Sequence, residues 1–270
     1  MAGEKCLSPG CARAVSRELE KCLSPGRTGK VSVPRACPAR GTRLGNVRLN
    51  SYAAGMRVIL VRHYQTQSNA DGRIIGWLDS PPCADWKDDI DFIDGRLREQ
   101  GICFDAIYSS DLQRARETAR VYAQSFDVAE ITGKAELKEI NYGELQTKTK
   151  TWAYEQYPEH KKNPDLVYPD GESFRQMQLR GVRSLSSLAL SHANDTILIV
   201  SHAGMIRGIV SHFLGLEYAP NLEQKVPFRY IGDFLFEGEN CVRYDELGQA
   251  SGFVDNGVIE MPFSRARAVS

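Results

Sequence analysis

Arg57-Val58-Ile59-Leu60-Val61 is a short apolar run rich in β-branched residues, and it ends in Arg62-His63. With no polar alternation and too few residues for an ordinary helix, it reads as a strand buried on both faces. Far downstream, Thr196-Ile197-Leu198-Ile199-Val200 is a second such run, ending in Ser201-His202. Between the two, Asp105-Ala106-Ile107-Tyr108 leads into Ser109-Ser110 and then into a helical spacing of Leu112, Ala115, Ala119 and Tyr122, with Asp111 as the expected N-cap. Strands alternating with helices predict an α/β fold, a three-layer α/β/α sandwich with a mostly parallel central sheet. Ligands of such sheets bind beyond the carboxyl ends of the strands, where both histidines emerge.

A single histidine after a strand is more often structural or solvated than chemical. Here there are two, and each has a cation close in sequence: Arg62 beside His63, and Arg207 five residues after His202. Arg114 lies on the helix that follows the central strand. Cations and imidazoles converging on strand ends suit a doubly charged phosphoryl group and disfavour a neutral or cationic substrate.

The segment Val61-Arg62-His63-Tyr64-Gln65-Thr66-Gln67-Ser68-Asn69 resembles the R-H-G-[EQ]-[TS]-x-x-N signature of the histidine phosphatase superfamily, which includes the cofactor-dependent phosphoglycerate mutases. Gly76-Trp77-Leu78-Asp79-Ser80-Pro81 is similar to the family's next loop, and Ser109 through Ala119 to its S-S-D-L-x-R-A-x-x-T-A segment. Leu137 to Gly143 resembles the L-x-E-x-x-x-G element; Asp170 to Phe174 and Ser201-His202-Ala203-Gly204 complete a set of six in the family's order within residues 56–236.

The resemblance implies a phosphohistidine mechanism. His63 would attack phosphorus, which needs one unprotonated ring nitrogen and an acceptor on the other to fix the tautomer. Arg62, Arg114 and His202 would hold the phosphoryl oxygens, with Thr66, Asn69 and Ala203 adding to the phosphate site. Glu139 would protonate the leaving oxygen and then activate water, which calls for a raised pKa; without the family match it reads as an exposed acid in a charged stretch. Fixed cations leave no need for a metal or other cofactor. The implied activity is hydrolysis of a small phosphorylated metabolite. The alternatives are a phosphoglycerate mutase and, from a different class, a catalytically silent interaction module, against which the retention of the whole set argues.

Mutases of the family carry a long, Arg-containing insertion after the L-x-E element that closes over the substrate carboxylate. Here 29 residues (143–171) separate Tyr142 from Glu172, and none is Arg. The sequence around His202 is also more similar to the phosphatases, so net hydrolysis is expected. Three departures bear on substrate choice. Tyr64 replaces Gly or Ala after the nucleophile and is expected to add bulk beside the phosphate pocket. Pro82 to Asp89 replaces the usual L-T-x-x-G-x-x-Q-A helix. Thr147 stands where a Gly is common.

Other conspicuous residues take plain readings. His160 is expected to be solvated, His192 to end a helix where a cation suits the dipole, and His212 to pack on a helix. Lys148, Lys150, Lys161 and Lys162 flank the substrate-capping segment, as a solvated face or as contacts to a second anionic group. Cys103 and Cys241 read as buried small hydrophobes.

The whole chain, 270 residues with 42% apolar and 25% charged, has the composition of a globular protein. Its 34 basic residues balance its 34 acidic ones, so no overall field favours nucleic acid or an anionic membrane. No apolar stretch approaches the roughly 20 residues of a membrane helix. Seven irregularly spaced cysteines do not form a secreted disulfide framework, and a cytoplasmic, reducing setting is expected. A homodimer is left open.

The balance hides a split. Residues 1–55 carry ten Lys or Arg against three Glu, a net of +7, which leaves −7 for the rest. This leader holds four cysteines and repeats Glu-Lys-Cys-Leu-Ser-Pro-Gly at 4–10 and 20–26. Such a segment buries too little to offset its ordering entropy. It is expected to be disordered, or translated from a start upstream of a native Met56, with an Arg-rich transit peptide as the alternative. Gly26 to Lys30 resembles part of a P-loop, but Ser24 and Val31 occupy two of the required positions. The leader's cysteines lack paired ligand spacing for zinc. The expected organisation is therefore a leader at 1–55, a catalytic domain at 56–250 and a tail at 251–270.

Overall fold

In the computed structural model, which describes residues 55–218, 224–253 and 259–260, the two apolar runs lie side by side. β1 (Met56–Arg62) and β4 (Thr196–Ser201) pair in parallel, with Val61 opposite Val200 and Arg62 opposite Ser201. Val58, Leu60, Ile197 and Ile199 join one core, while Ile59, Val61, Leu198 and Val200 are as fully buried. Because side chains alternate along a strand, both faces of the pair must be covered, and this is what the unbroken apolar runs require.

The other elements follow in chain order: α1 (Gln67–Ala70), α2 (Trp86–Glu99), β2 (Ala106–Ser110), α3 (Gln113–Ser125), β3 (Ile131–Lys134), α4 (Lys150–Gln156), α5 (Phe174–Ser191), α6 (Ala203–Leu214), β5 (Ile231–Glu237), β6 (Asn240–Glu246) and β7 (Ile259–Glu260). The seven strands form one sheet in the order β3-β2-β4-β1-β5-β6-β7. β3, β2, β4 and β1 are mutually parallel; β5 and β7 run the other way, and β6 runs with β1. Five of the seven strands therefore share a direction. Met177, Leu185 and Leu188 of α5 pack with Met205, Ile206 and Ile209 of α6 over one face. α2 and α3 bury Ile90, Ile93, Leu97, Ala115, Ala119 and Tyr122 on the other side, which gives the three-layer sandwich.

Three local expectations change. Asp111 does not cap α3; the helix begins at Gln113 after Leu112, which makes no side-chain cap, and Asp111 lies against Gly133 of β3. Packing runs past residue 250, since Ser251 and Phe253 are buried and β7 extends the sheet. Cys103 and Cys241 are half-buried. Thr147 has φ +73°, the left-handed region where glycine is favoured and a β-branched residue is strained. The leader and most of the tail lie outside the described residues, as does the side chain of His160.

The segment 143–171 is a cap pinched at its base. Glu144 N donates to Pro169 O (3.0 Å) and Glu172 N to Asn141 O (2.9 Å). Gly143 has φ +49°, and a Cβ on it would collide with the Pro169 carbonyl, so the pinch needs glycine there. The cap is also stitched to the loop after α1: Ile74 N donates to Lys148 O, Thr147 N to Ile74 O and Lys150 N to Gly72 O.

Candidate active site

His63 follows β1 and His202 follows β4, and the parallel register brings them together: His63 N donates to Ser201 O at 3.0 Å, and the imidazole centroids are 5.0 Å apart. Both rings are buried. His63 Nδ1 lies 2.6 Å from Tyr64 O, a pure acceptor, so Nδ1 carries the proton. Arg114 Nε donates toward His63 Nε2 at 3.3 Å, which leaves Nε2 as the unprotonated nitrogen. Burial, reinforced by Arg114 and Arg62, holds the His63 pKa well below its ordinary value. The ring is thus neutral, tautomerically fixed and presents a lone pair to a cationic cavity.

That cavity, about 180 Å³, is lined by His63, Arg62, Arg114, Asn69, Glu139 and Ala203 among others. Arg114 extends from the first turn of α3 and is aimed by the carbonyls of Leu78 and Gly76, each 2.7 Å away. Arg62 donates to Val226 O at 2.6 Å and stacks its guanidinium 3.6 Å from the centroid of Phe228. Burial lowers its pKa to about 9, with Glu139 opposing and Arg207 and Arg114 adding to the effect, so it stays cationic at neutral pH. His202 contacts Ser110 Oγ through Nε2 at 2.7 Å, while its Nδ1 is buried without a hydrogen-bond partner. An orphaned polar atom at this depth costs about 1–3 kcal/mol; His202 itself lies behind Ala203 and is not among the residues that line the cavity.

Glu139 approaches from the turn after β3. Its carboxylate accepts from Ile140 N (2.9 Å) and from Gly204 N in the first turn of α6 (3.0 Å). A Cβ at Gly204 would overlap Glu139 Oε1, so only glycine permits this approach. The backbone behind Glu139 is clamped by Arg180 of α5, which donates to the carbonyls of Glu136, Lys138 and Glu139 at 2.7, 2.7 and 2.8 Å. Glu172 holds Arg180 at 2.6 Å and also accepts from Asn141 N. Trp77 Nε1 adds a further bond to Glu139 O at 2.7 Å. No element of the sequence pattern pointed to Arg180, since carbonyl partners leave no residue signature.

Two expected contributors stand elsewhere. Thr66 is fully buried and does not line the cavity; it caps α1, with Oγ1 donating to Asn69 Oδ1 at 3.0 Å, and so it positions Asn69. The Tyr64 side chain also turns away. Its hydroxyl donates to Glu117 Oε2 at 2.7 Å, its ring packs on Trp86, and burial raises its pKa. It adds no bulk to the cavity, because the peptide that presents His63 points the next side chain into the α2–α3 layer.

Of the lysines flanking the cap, Lys150 lines the cavity, whereas Lys148 lies over Trp152 and Lys162 pairs with Glu159. Arg73 and Arg207 line it as well. His192 bridges Tyr108 OH (2.6 Å) and Asp195 (2.9 Å) at the end of α5, and the half-buried His212 packs on Phe213. Among the described residues, no group of three or more His, Cys, Asp or Glu is arranged to hold a metal ion, and no helix is long and apolar enough to cross a membrane.

The family model for the histidine phosphatase superfamily (branch 1) matches residues 58–226, the span that carries Arg62, His63, Asn69, Arg114, Glu139 and His202. The chain belongs to the histidine phosphatase superfamily. A metal-independent phosphoserine phosphatase of Arabidopsis thaliana is 34% identical over 158 residues, 56% of this chain and 66% of that protein. A probable phosphoglycerate mutase, GpmB, of Citrobacter koseri is 36% identical over 166 residues, 60% of this chain and 76% of its own length. Among solved structures, Bacillus stearothermophilus YhfR superposes with a TM-score of 0.61 at 26% identity, covering 69% of this chain and 94% of YhfR. This superfamily member is thus a phosphatase-type enzyme with phosphoglycerate mutase-like relatives.

Proposed function

We propose that the chain hydrolyses a small phosphomonoester in two in-line transfers through a phosphohistidine on His63, with no metal taking part. The observation that carries this is the tautomer lock: Nδ1 bound to Tyr64 O leaves Nε2 as a neutral nucleophile facing Arg114. In the first transfer the Nε2 lone pair forms a bond to phosphorus while the ester P–O bond breaks, and Glu139 gives its proton to the departing oxygen. In the second, water attacks phosphorus, Glu139 takes the proton, and the N–P bonding pair returns to His63. Arg62, Arg114 and His202 spread the charge of the equatorial oxygens. Asn69 and the backbone N–H of Ala203 at the start of α6 add neutral donors.

The cavity supports a compact substrate, since pockets for drug-sized ligands run to about 300–1,000 Å³. The relatives named for phosphoserine and phosphoglycerate chemistry agree with a small phosphorylated metabolite. The reading involves no nucleic acid or membrane partner, places the enzyme in the cytoplasm and confines catalysis to the domain that starts at Met56. The relative named as a probable mutase favours a second reading, transfer of the phosphoryl group back to another hydroxyl. Against it stands the short cap, 143–171, which contains no arginine to close over a substrate carboxylate. Incubation with 3-phosphoglycerate, with and without 2,3-bisphosphoglycerate, is expected to release inorganic phosphate faster than it forms 2-phosphoglycerate. Rapid interconversion with little free phosphate would reverse the ranking.

A further inference from the structure

We infer that Tyr64 is a positioning residue: its hydroxyl, seated on the buried carboxylate of Glu117 in α3, fixes the backbone carbonyl that accepts the Nδ1 proton of His63. The inference rests on the catalytic reading above and adds to it a side chain that the glycine or alanine of the superfamily signature does not supply. Residue 64 is gripped by one turn of α3. Its N–H donates to Thr118 Oγ1 at 3.1 Å, its phenol donates to Glu117 Oε2 at 2.7 Å, and its ring lies on Trp86 with centroids 5.2 Å apart. Thr118 in turn donates to Arg114 O at 2.8 Å. The carbonyl of the residue held in this way takes the His63 proton at 2.6 Å. Arg114, on the same turn, donates toward the other ring nitrogen at 3.3 Å. A single helical turn therefore carries the cation that meets the nucleophilic nitrogen and the two side chains that hold the peptide behind it. Nucleophile and phosphate-binding guanidinium share one frame.

Glu117 gives the phenol its importance. The residue is 2% exposed, and among the described residues no cation forms an ion pair with it. A carboxylate taken out of water is costly unless hydrogen bonds replace its hydration. Glu117 has two: Tyr64 OH on Oε2 and Gln113 Nε2 on Oε1, both at 2.7 Å. Gln113 stands four residues earlier on the same face of α3, so the phenol is what ties this carboxylate to the catalytic segment. Burial keeps the phenol protonated and hence a donor. A packing role alone would be filled by phenylalanine against Trp86 and would need no buried acid. A hydrogen bond to a carboxylate is short and strong for its kind, and here it is enclosed and one residue from the nucleophile. The Nδ1 contact of His63 depends on where that residue sits.

The test combines kinetics with the ¹⁵N spectrum of the histidine rings. Tyr64→Phe keeps the ring on Trp86 and loses the anchor. Its kcat/KM for p-nitrophenyl phosphate, a generic ester, is expected to fall by about tenfold or more, while the inhibition constant of inorganic phosphate, which needs the cations and not the nucleophile, stays within about twofold. Glu117→Leu removes the same bond from the other end and should lose a similar amount, and the double variant should lose no more than either alone. Glu117→Gln, whose amide oxygen still accepts from the phenol, should lose less than Glu117→Leu. In the spectrum His63, assigned by its disappearance in His63→Ala, should carry hydrogen on Nδ1 alone in the wild type and on a mixture of Nδ1 and Nε2 in Tyr64→Phe. If Tyr64→Phe does not fold, the two Glu117 variants decide, and equal kinetics in both would count against the anchor. Retained kcat/KM in Tyr64→Phe, additive losses in the double variant, or phosphate affinity that falls in step with kcat/KM overturns the proposal. Each leaves the catalytic reading intact, because phosphate release and the Nδ1–H form of His63 are still seen in the wild type. A wild type that releases no phosphate overturns both.

Discussion

The floor and the rim of the cavity are built on different principles. The floor hangs on the ends of β1 and β4 and the first turns of α3 and α6, where strand register sets the spacing of His63 and His202. His63, His202 and Arg114 are buried there, Arg62 is half-buried, and each guanidinium is aimed by backbone carbonyls. The rim comes from the loop after α1 and from the cap, segments that expose Trp77, Leu78, Trp152, Tyr154 and Val167. Rigid strand ends suit a reaction that demands fixed geometry, while exposed loops tolerate the variation that sets substrate choice. The floor thus reports the reaction class and the rim the substrate.

Removing a floor cation should break activity most severely. Arg114→Ala is expected to lower kcat/KM by about 10²–10³-fold, the usual loss when one preorganised donor to a developing oxyanion is removed, for phosphomonoesters of any structure. A loss confined to one substrate, measured in phosphate-release assays, would move Arg114 from the floor to the rim.

Arg180 tests the join between the two regions. It does not line the cavity, yet it clamps the backbone that presents Glu139. Arg180→Ala is expected to reduce kcat by about tenfold or more with KM nearly unchanged, since proton transfer at Glu139 depends on placement. Arg180→Lys should recover part of this by bonding one carbonyl at a time. An unchanged kcat, or a change in KM alone, would contradict a positioning role.

The buried histidines give the floor a pH signature that the rim lacks. The folded-state pKa values of His63 and His202 are both depressed, first by burial and then by Arg114. The unfolded chain therefore binds protons that the folded one refuses. Stability is full above the unfolded value of about 6.5 and is lost as pH falls below it. The thermal midpoint is expected to drop between pH 7 and pH 5, and to drop less steeply in His202→Asn. Parallel curves for the two proteins would show that the floor histidines are not the source.

The smallest expected effect belongs to the rim. Thr147→Gly, which relieves a left-handed φ of +73°, should stabilise the fold by about 1 kcal/mol and leave turnover of a generic ester within about twofold, read by thermal unfolding and steady-state kinetics. Destabilisation would mean that the threonine side chain contributes more than its backbone strain costs.

The same division explains what could be read from the chain. The runs at 57–61 and 196–200 gave the sheet and the place of both histidines, because burial on two faces leaves an unmistakable apolar pattern. His63, Arg62, Arg114, Glu139 and Ala203 meet in the cavity, with His202 beside them, as the motif order implied. Arg73 and the clamp by Arg180 were hidden, since each works across distant segments through backbone carbonyls that any residue supplies. Tyr64 misled for a related reason: its position beside the nucleophile in sequence says nothing about the direction of its side chain.

The central claim is that His63 Nε2 carries the phosphoryl group. Millisecond exposure of the enzyme to ³²P-labelled substrate, quenched in alkali and mapped by peptide sequencing, tests it directly. The account predicts an acid-labile, alkali-stable label on the peptide containing His63, absent in His63→Ala; in Glu139→Gln it should accumulate when the labelled ester is p-nitrophenyl phosphate, whose leaving group needs no proton, because water is no longer activated. Label that persists in His63→Ala, or turnover with no labelled enzyme in either the wild type or Glu139→Gln, would contradict it.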